Sequence, residues 1–369
     1  MVDPKKLLNF LEKKNISFFS GVPDSVLKNF TNLLKNKSLH VLASNEGSAV
    51  SIGIGYHLSF NKLPCIYMQN SGLANAINPL ISIAHKGVYS IPMMLLIGWR
   101  GSPGIKDEPQ HLIKGKITKN LLKMLGIKHA VIHNEKDFNR IKQLISFSKK
   151  EKVPVACLFK QGVLNEINSQ KKLNIKNSQK NKILRSDVIR EILKNIQNNT
   201  KIISTTGYTS RELYQIRKNE HYNKGKDFYM VGGMGHSSSV ALGVAFKKNK
   251  KILCLDGDGS MLMHLGSLHT VGLINKDNFK HILLNNQSHE SVGGQEISFK
   301  RVKMKKLIKG LGYSKYIQLK NKEDLKNKIK SVLKYKGSIF LEVLIKKGAI
   351  KNLGRPKDFI KIKNNFLKN

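Results

Sequence analysis

Short, nearly unbroken apolar runs alternate along the whole chain with longer segments whose apolar positions recur at helical spacing. The opening stretch, MVDPKKLLNFLEKKN, predicts an amphipathic helix and lacks the apolar core of a signal peptide. Strands are predicted over 16–20, 40–44, 64–69, 91–98, 128–132 and 153–159, with helices between them, for example over 25–34 and 47–59. Several of these strands are apolar on both faces, as parallel strands covered by helices must be. From 164 to 185 the chain turns polar and lysine-rich without periodicity, which predicts a linker. Ser186 and Asp187 then offer a helix N-cap, and the alternation restarts with strands over 201–205, 228–231, 251–255, 279–284 and 338–345. The pattern therefore predicts an α/β protein with a first domain over 1–163 and a second over 186–369. Each domain is expected to be a mostly parallel sheet with helices on both faces. The basic tail from Lys346 reads as an extended arm or terminal helix.

Composition narrows the class. A chain of 369 residues accommodates two ordinary domains, and no apolar run is long enough to cross a bilayer. Cys65, Cys157 and Cys254 stand singly inside strand-like runs, which argues against a disulfide framework or zinc site and for a reducing cytoplasm. The formal charge of +41 raises nucleic-acid binding as a reading of a different class. Yet the lysines are spread along the chain, and no helix-turn-helix, aromatic RNP-like or zinc-finger pattern accompanies them. A coding bias acting on solvated positions accounts for the excess, whose field still favours anionic substrates.

Candidate chemistry gathers at predicted strand ends. The runs at 251–255 and 279–284 are followed by Gly257-Asp258-Gly259-Ser260 and Asn285-Asn286. A carboxylate and a carboxamide thus fall at the C-terminal edge of a parallel sheet, where ligands bind. The glycines let backbone approach a ligand, and the N–H groups after Asp258 can face an anion. A hard divalent cation wants oxygen ligands in company with phosphates. Asp258, Asn286 and a group in the loop that follows, at Ser288, would supply the protein's share. The combination of Gly-Asp-Gly, residues 260–284 and Asn-Asn resembles the motif of the thiamine-diphosphate-dependent decarboxylase superfamily.

In the first half, Glu46 follows a predicted strand at a helix start, a place the helix dipole alone would favour for an acid. Asn70 lies in a Gly-containing turn after the third strand. Arg100 and Lys106 occupy a Gly/Pro-rich loop with Trp99 and His111, and offer a planar fork and a point charge to an anion.

Segments at both ends of the chain are similar to the phosphonopyruvate decarboxylase family. They are GVPDS (21–25), NEG (45–47), YMQNSGLANAINPL (67–80), IGWRGSPGIKDEPQH (97–111), STTGYTSREL (204–213), GGMGHSSSVALG (232–243), NNQSHESVGGQ (285–295) and LGRP (353–356). The resemblance implies two domains of the thiamine-diphosphate-binding fold, the first binding the pyrimidine and the second the diphosphate. It implies that Glu46 hydrogen-bonds the aminopyrimidine and promotes removal of the thiazolium C2 proton. The Gly232 carbonyl would hold the 4′-amino group, and Met234 would wedge the cofactor into its bent shape. Gly257, Asp258, Gly259, Ser260 and Asn286 would surround the diphosphate and Mg²⁺. Asp24 and His111 would handle protons, Arg100, Lys106, Asn70 and His289 would meet the substrate, and Glu290 would help cover it. His236 receives no role.

The implied reaction is non-oxidative decarboxylation of 3-phosphonopyruvate to phosphonoacetaldehyde and CO2, a step of phosphonate biosynthesis. Sulfopyruvate, or another anionic 2-keto acid, is the rival substrate. A homo-oligomer, at least a dimer with its site at the subunit interface, is the implied assembly.

Overall fold

The computed structural model describes residues 1–166, 183–297 and 302–368. The chain divides into two compact units, Met1–Leu173 and Asn174–Asn369. In the first unit six strands form one parallel sheet: β1 (Phe19–Gly21), β2 (His40–Leu42), β3 (Cys65–Gln69), β4 (Met93–Trp99), β5 (Lys128–Ile132) and β6 (Pro154–Lys160). Their spatial order is β2-β1-β3-β4-β6-β5. β4 is buried along its whole length and β6 up to Phe159. Separate apolar clusters cover the two faces, one including Phe19, Tyr67 and Phe159, the other Ile66, Met68 and Ile97. Alternate residues of one strand thus feed opposite cores.

The second unit repeats this plan. β7 (Thr200–Ser204), β8 (Lys226–Tyr229), β9 (Lys251–Gly257), β10 (Phe279–Asn285), β11 (Lys315–Leu319) and β12 (Ile339–Leu344) lie in the order β11-β12-β10-β9-β7-β8, all parallel. Read from the other edge, this is the first sheet's order with each strand advanced by six. In both sheets the chain steps from its first strand to one side and then crosses to the other. That leaves a crevice at the carboxyl ends of β1 and β3, and of β7 and β9, the place where such sheets bind ligands.

The predicted strands are found within a few residues of their places, with instructive shifts. The run at 16–20 pairs only from Phe19, and the strand expected at 228–231 is Lys226–Tyr229. β11 has no counterpart in the predicted set, since it is a lysine-flanked edge strand buried fully only at Leu319. Ser186 and Asp187 do not cap from outside. The helix Arg185–Asn195 already contains them, and the Asp187 carboxylate reaches back to accept the Leu184 N–H at 3.1 Å. Of the predicted linker, 167–182 lies outside the described residues. On either side of it Leu164 bridges to Val2, and the Ile183 carbonyl accepts the Lys346 N–H at 2.8 Å.

The amphipathic opening is the helix Pro4–Lys13, capped by Asp3, with Leu7, Leu8 and Leu11 buried. The tail does end in a helix, Phe359–Leu367, against which the Lys201 ammonium donates to the Phe366 and Lys368 carbonyls. All three cysteines are buried and free. No helix among the described residues is long and apolar enough to cross a membrane.

Candidate active site

Each unit carries polar groups at its sheet's carboxyl edge. In the first, Asn45 caps the helix Glu46–Phe60 by accepting the Ser48 N–H at 2.8 Å, which fixes Glu46 as its first residue. The Glu46 side chain is buried. Its Oε2 accepts from Asn75 Nδ2 at 2.8 Å, and its other oxygen lies so close to Gly72 that a Cβ there would collide with it. Glycine at 72 is therefore a condition for this carboxylate's position.

Asp24 follows β1 at the crevice and is completely buried. Its Oδ2 accepts the N–H groups of Val26 and Leu27, and its Oδ1 accepts Gln69 Nε2 at 2.7 Å. Burial raises its pKa against those hydrogen bonds and against the charge of Arg100.

The loop after β4 is internally tied. Arg100 gives Nε to Asp107 Oδ2 at 2.7 Å and Nη2 to Oδ1, so the edge of its fork is committed within the loop. Nη1 reaches Ser25 Oγ at 3.2 Å. The pair holds the Asp107 carboxyl far below its ordinary range, against the effect of burial. Asn70 clasps the same loop: Oδ1 accepts the Arg100 N–H at 3.1 Å, and Nδ2 donates to the Arg100 carbonyl at 3.0 Å and to Thr118 Oγ1 at 2.9 Å. Lys106 is exposed.

His111 sits in the first turn of the helix Pro109–Met124, with its Nδ1 buried and unpartnered. Burial, then the nearby Arg100 charge, push its pKa down to about 4, so the imidazole is neutral at neutral pH. One turn on, Lys114 is half-buried, its pKa lowered by burial and partly restored by the Glu46 charge. It has no ion-pair partner among the described residues. Sequence reading passed over Lys114 because, in a chain with 65 Lys and Arg, only three-dimensional placement distinguishes it.

In the second unit β9 and β10 are adjacent, with Leu284 level with Gly257, so their terminal loops emerge side by side. Asp258 opens a short helix and is buried. Its Oδ1 accepts the Gly259 N–H at 2.8 Å, while Oδ2 has no hydrogen-bond partner. Burial pushes the carboxyl up to about 6, opposed by the Gly259 N–H, by the nearby N–H groups of Gln287 and Ser288, whose hydrogen bonds go to Asn285 and Asn286, and by the charge of Arg185. The two loops are thus brought together. Asn286 Oδ1 accepts the Ser288 N–H at 3.0 Å, and Ser288 Oγ is buried without a partner.

Ser260 Oγ takes a hydrogen bond from Thr205 Oγ1 at 2.7 Å across the β7/β9 crevice, and another from the Gly235 N–H at 3.0 Å. The second bond fastens the 232–235 turn, with Gly232 and Met234 half-buried, to the loop that begins at Gly257. Gly259 is covered by the His289 ring, which leaves no room for a Cβ. Burial pushes His289 down to about 4. Glu290 points at Arg185 and Asn286. His236 stacks on His264 with ring centroids 4.3 Å apart. Cys254, Asp256 and His281, lower on β9 and β10, form a further buried polar group tied to the Tyr313 hydroxyl at 2.9 Å.

A buried carboxylate oxygen and a buried hydroxyl without partners, beside a carboxamide, need a partner of opposite character. An all-oxygen set suits a hard divalent cation with a phosphate-bearing ligand, so these residues fit Mg²⁺ and a diphosphate.

Known families point the same way. The family described as "Thiamine pyrophosphate enzyme, N-terminal TPP binding domain" matches residues 5–124. "Thiamine pyrophosphate enzyme, C-terminal TPP binding domain" matches 204–343. A phosphonopyruvate decarboxylase of Streptomyces viridochromogenes is 31% identical over 97% of this chain and 92% of its own length. One from Streptomyces hygroscopicus is 30% identical over 97% and 91%. A sulfopyruvate decarboxylase of Methanosarcina acetivorans is 24% identical over 94% and 92%. Near-complete coverage at these identities, joined to the paired domain matches, means that the chain belongs to the phosphonopyruvate decarboxylase family of thiamine pyrophosphate enzymes.

Proposed function

We propose that this protein is a carboxy-lyase, dependent on thiamine diphosphate and Mg²⁺, that converts 3-phosphonopyruvate to phosphonoacetaldehyde and CO2. The observation that carries the reading is the buried, unpartnered Asp258 oxygen beside the Asn286–Ser288 loop. Within it, residues 1–163 form the pyrimidine-binding domain and 186–369 the diphosphate-binding domain. When bound, the cofactor supplies a thiazolium that accepts the electron pair freed as CO2 departs.

Asp258, Asn286 and Ser288 hold the cation. Gly257, Gly259 and Ser260 line the diphosphate, and a side chain at 259 would displace the His289 ring. The Gly232 carbonyl and the Met234 side chain would hold the aminopyrimidine end of the cofactor. Glu46, steadied by Asn75, shares a proton with the pyrimidine ring. Asp24 keeps its proton to higher pH than an ordinary carboxyl and can donate it. His111, neutral at neutral pH, can accept one.

The substrate's anionic group meets Lys106, Lys114 and the Nη1 edge of Arg100, because the rest of the Arg100 fork is held by Asp107. Asn70 serves by clasping the Arg100 backbone, and His289 also meets the substrate. The functional assembly is a homo-oligomer, at least a dimer, with sites shared between subunits. Exposed Val41, Leu42, Ile52, Ile113 and Ile117 of the first unit are side chains that such an interface would cover. Free, buried cysteines fit a cytoplasmic location, in a route that makes phosphonates.

The test is turnover of phosphonopyruvate against sulfopyruvate, with aldehyde release measured in the presence and absence of thiamine diphosphate and Mg²⁺. A phosphonate reaches a second negative charge near neutral pH and a sulfonate does not, so a site with several cations is expected to favour phosphonopyruvate in kcat/KM. Preference for sulfopyruvate, whose decarboxylase in Methanosarcina acetivorans is also similar to this chain, would reverse the substrate assignment.

A further inference from the structure

Glu290 lies four residues beyond Asn286, in the loop after β10, and every oxygen of its carboxylate is engaged inward. Oε2 accepts from Asn286 Nδ2 at 2.8 Å and from Arg185 Nη2 at 2.7 Å. Oε1 accepts the Gly348 N–H. Arg185 is itself fixed: its side chain is 5% exposed, Nη1 lies 3.5 Å from Glu212 Oε1 and donates to the Gly348 carbonyl at 3.3 Å, and its guanidinium stands over the Tyr208 ring. Glu212 in turn accepts the Ile350 N–H at 2.9 Å. A buried cation between two carboxylates thus pins Glu290 beneath the Asn286 side chain.

The two ends of a carboxamide have nearly the same shape, and only their hydrogen-bond partners decide which way they face. An ionised carboxylate accepts and cannot donate, so the end of Asn286 that meets Glu290 must be the NH₂. Oδ1 is then turned away from Glu290 and accepts the Ser288 N–H of its own loop, a group that also lies near the Asp258 carboxyl. The reverse orientation would present N–H groups to a cation and set Oδ1 against a carboxylate. We infer that Glu290, held by Arg185, is a positioning residue that fixes the Asn286 carboxamide with its oxygen toward the divalent metal. The inference rests on the assignment of Asn286 to metal binding made above. Partners of this kind typically contribute 10- to 100-fold to metal affinity.

The experiment is Mn²⁺ binding, followed by electron paramagnetic resonance in the presence of thiamine diphosphate, on the full-length protein. Glu290→Gln keeps the side chain's size but can donate to Oδ1, making the two amide orientations comparable. It is expected to weaken Mn²⁺ binding by about 10- to 100-fold. It should also raise the Mg²⁺ concentration needed for half-maximal activity. Arg185→Lys, which leaves both Glu290 and Asn286 in place but loosens the fork, is expected to shift Mn²⁺ affinity in the same direction by a smaller factor. A purely structural role would lower the melting temperature of the metal-free variants without changing Mn²⁺ affinity, and that result overturns the inference. Failure of the wild-type protein to bind Mn²⁺, or undiminished binding by Asp258→Asn, would instead remove the metal-site assignment beneath it.

Discussion

Glu46→Gln is expected to cut turnover by about 10²- to 10⁴-fold, the range over which a positioned proton-transfer group contributes. Cofactor and metal binding should be largely unchanged. The substitution is close to isosteric, and the new side chain's oxygen can still accept from Asn75 Nδ2, so the geometry set by Asn45, Asn75 and Gly72 persists. What disappears is an oxygen able to take and return a proton. An amide in that place supports binding but not proton sharing, so the loss should fall on kcat rather than on the affinity for thiamine diphosphate. Steady-state kinetics paired with cofactor binding by fluorescence quenching separates the two. Near-normal kcat would take Glu46 out of the chemistry.

Asp258→Asn is expected to act in opposite directions on stability and on ligand binding. The carboxyl is pushed up to about 6 by burial, so the charged form is disfavoured in the metal-free folded protein. The sign follows from linkage. Below about pH 4 the group is protonated in folded and unfolded chains alike and carries no penalty. As pH rises through about 6, the folded state must hold a buried charge that the unfolded chain hydrates freely.

Removing that charge should therefore stabilise the metal-free protein at pH 7 to 8 by something on the order of 3 kcal/mol, with the gain vanishing toward pH 4. The amide oxygen can keep the Gly259 N–H that the carboxylate now accepts. In the presence of Mg²⁺ and thiamine diphosphate the ranking should invert, because only the carboxylate balances the cation. Wild-type metal affinity should likewise fall as pH drops through about 6. Thermal melts of both proteins across pH, with and without ligands, check all of this. A variant that is less stable at pH 7 without metal would contradict the account of Asp258 as a strained, waiting ligand.

The strand end that carries Asp258 was legible in the sequence because β9 and β10 lie at the centre of their sheet, whereas Glu46 follows the edge strand β2 and stood out by its place at a helix start. Burial on both faces leaves an unbroken apolar run, and the polar residue that ends such a run stands out. Edge elements leave no such mark. β11 opens on exposed Lys315, carries an exposed Gln318 and is fully buried only at Leu319, so it escapes a reading based on apolar runs. β1 pairs over only Phe19 and Ser20 of the stretch 16–20 that predicted it.

Residues recognisable by chemical type and place, such as Glu46, Asp258 and Asn286, were singled out from sequence as candidates. Their partners were not. Asp107 occupies the Arg100 fork across a loop of glycines and prolines, whose path no periodicity reveals. Lys114, half-buried near the Glu46 charge, lies on a helix rich in other lysines. Glu290 is tied to Arg185 and Gly348, 105 and 58 residues away in sequence. Such long-range pairings depend on a tertiary structure that local pattern does not encode.

Calorimetry of thiamine diphosphate added to metal-depleted protein, with and without Mg²⁺, bears most directly on the grip proposed for the loops after β9 and β10. Saturable binding that requires Mg²⁺ and is lost in Asp258→Asn is the expected result. Binding indifferent to Mg²⁺, or no binding at all, would contradict it.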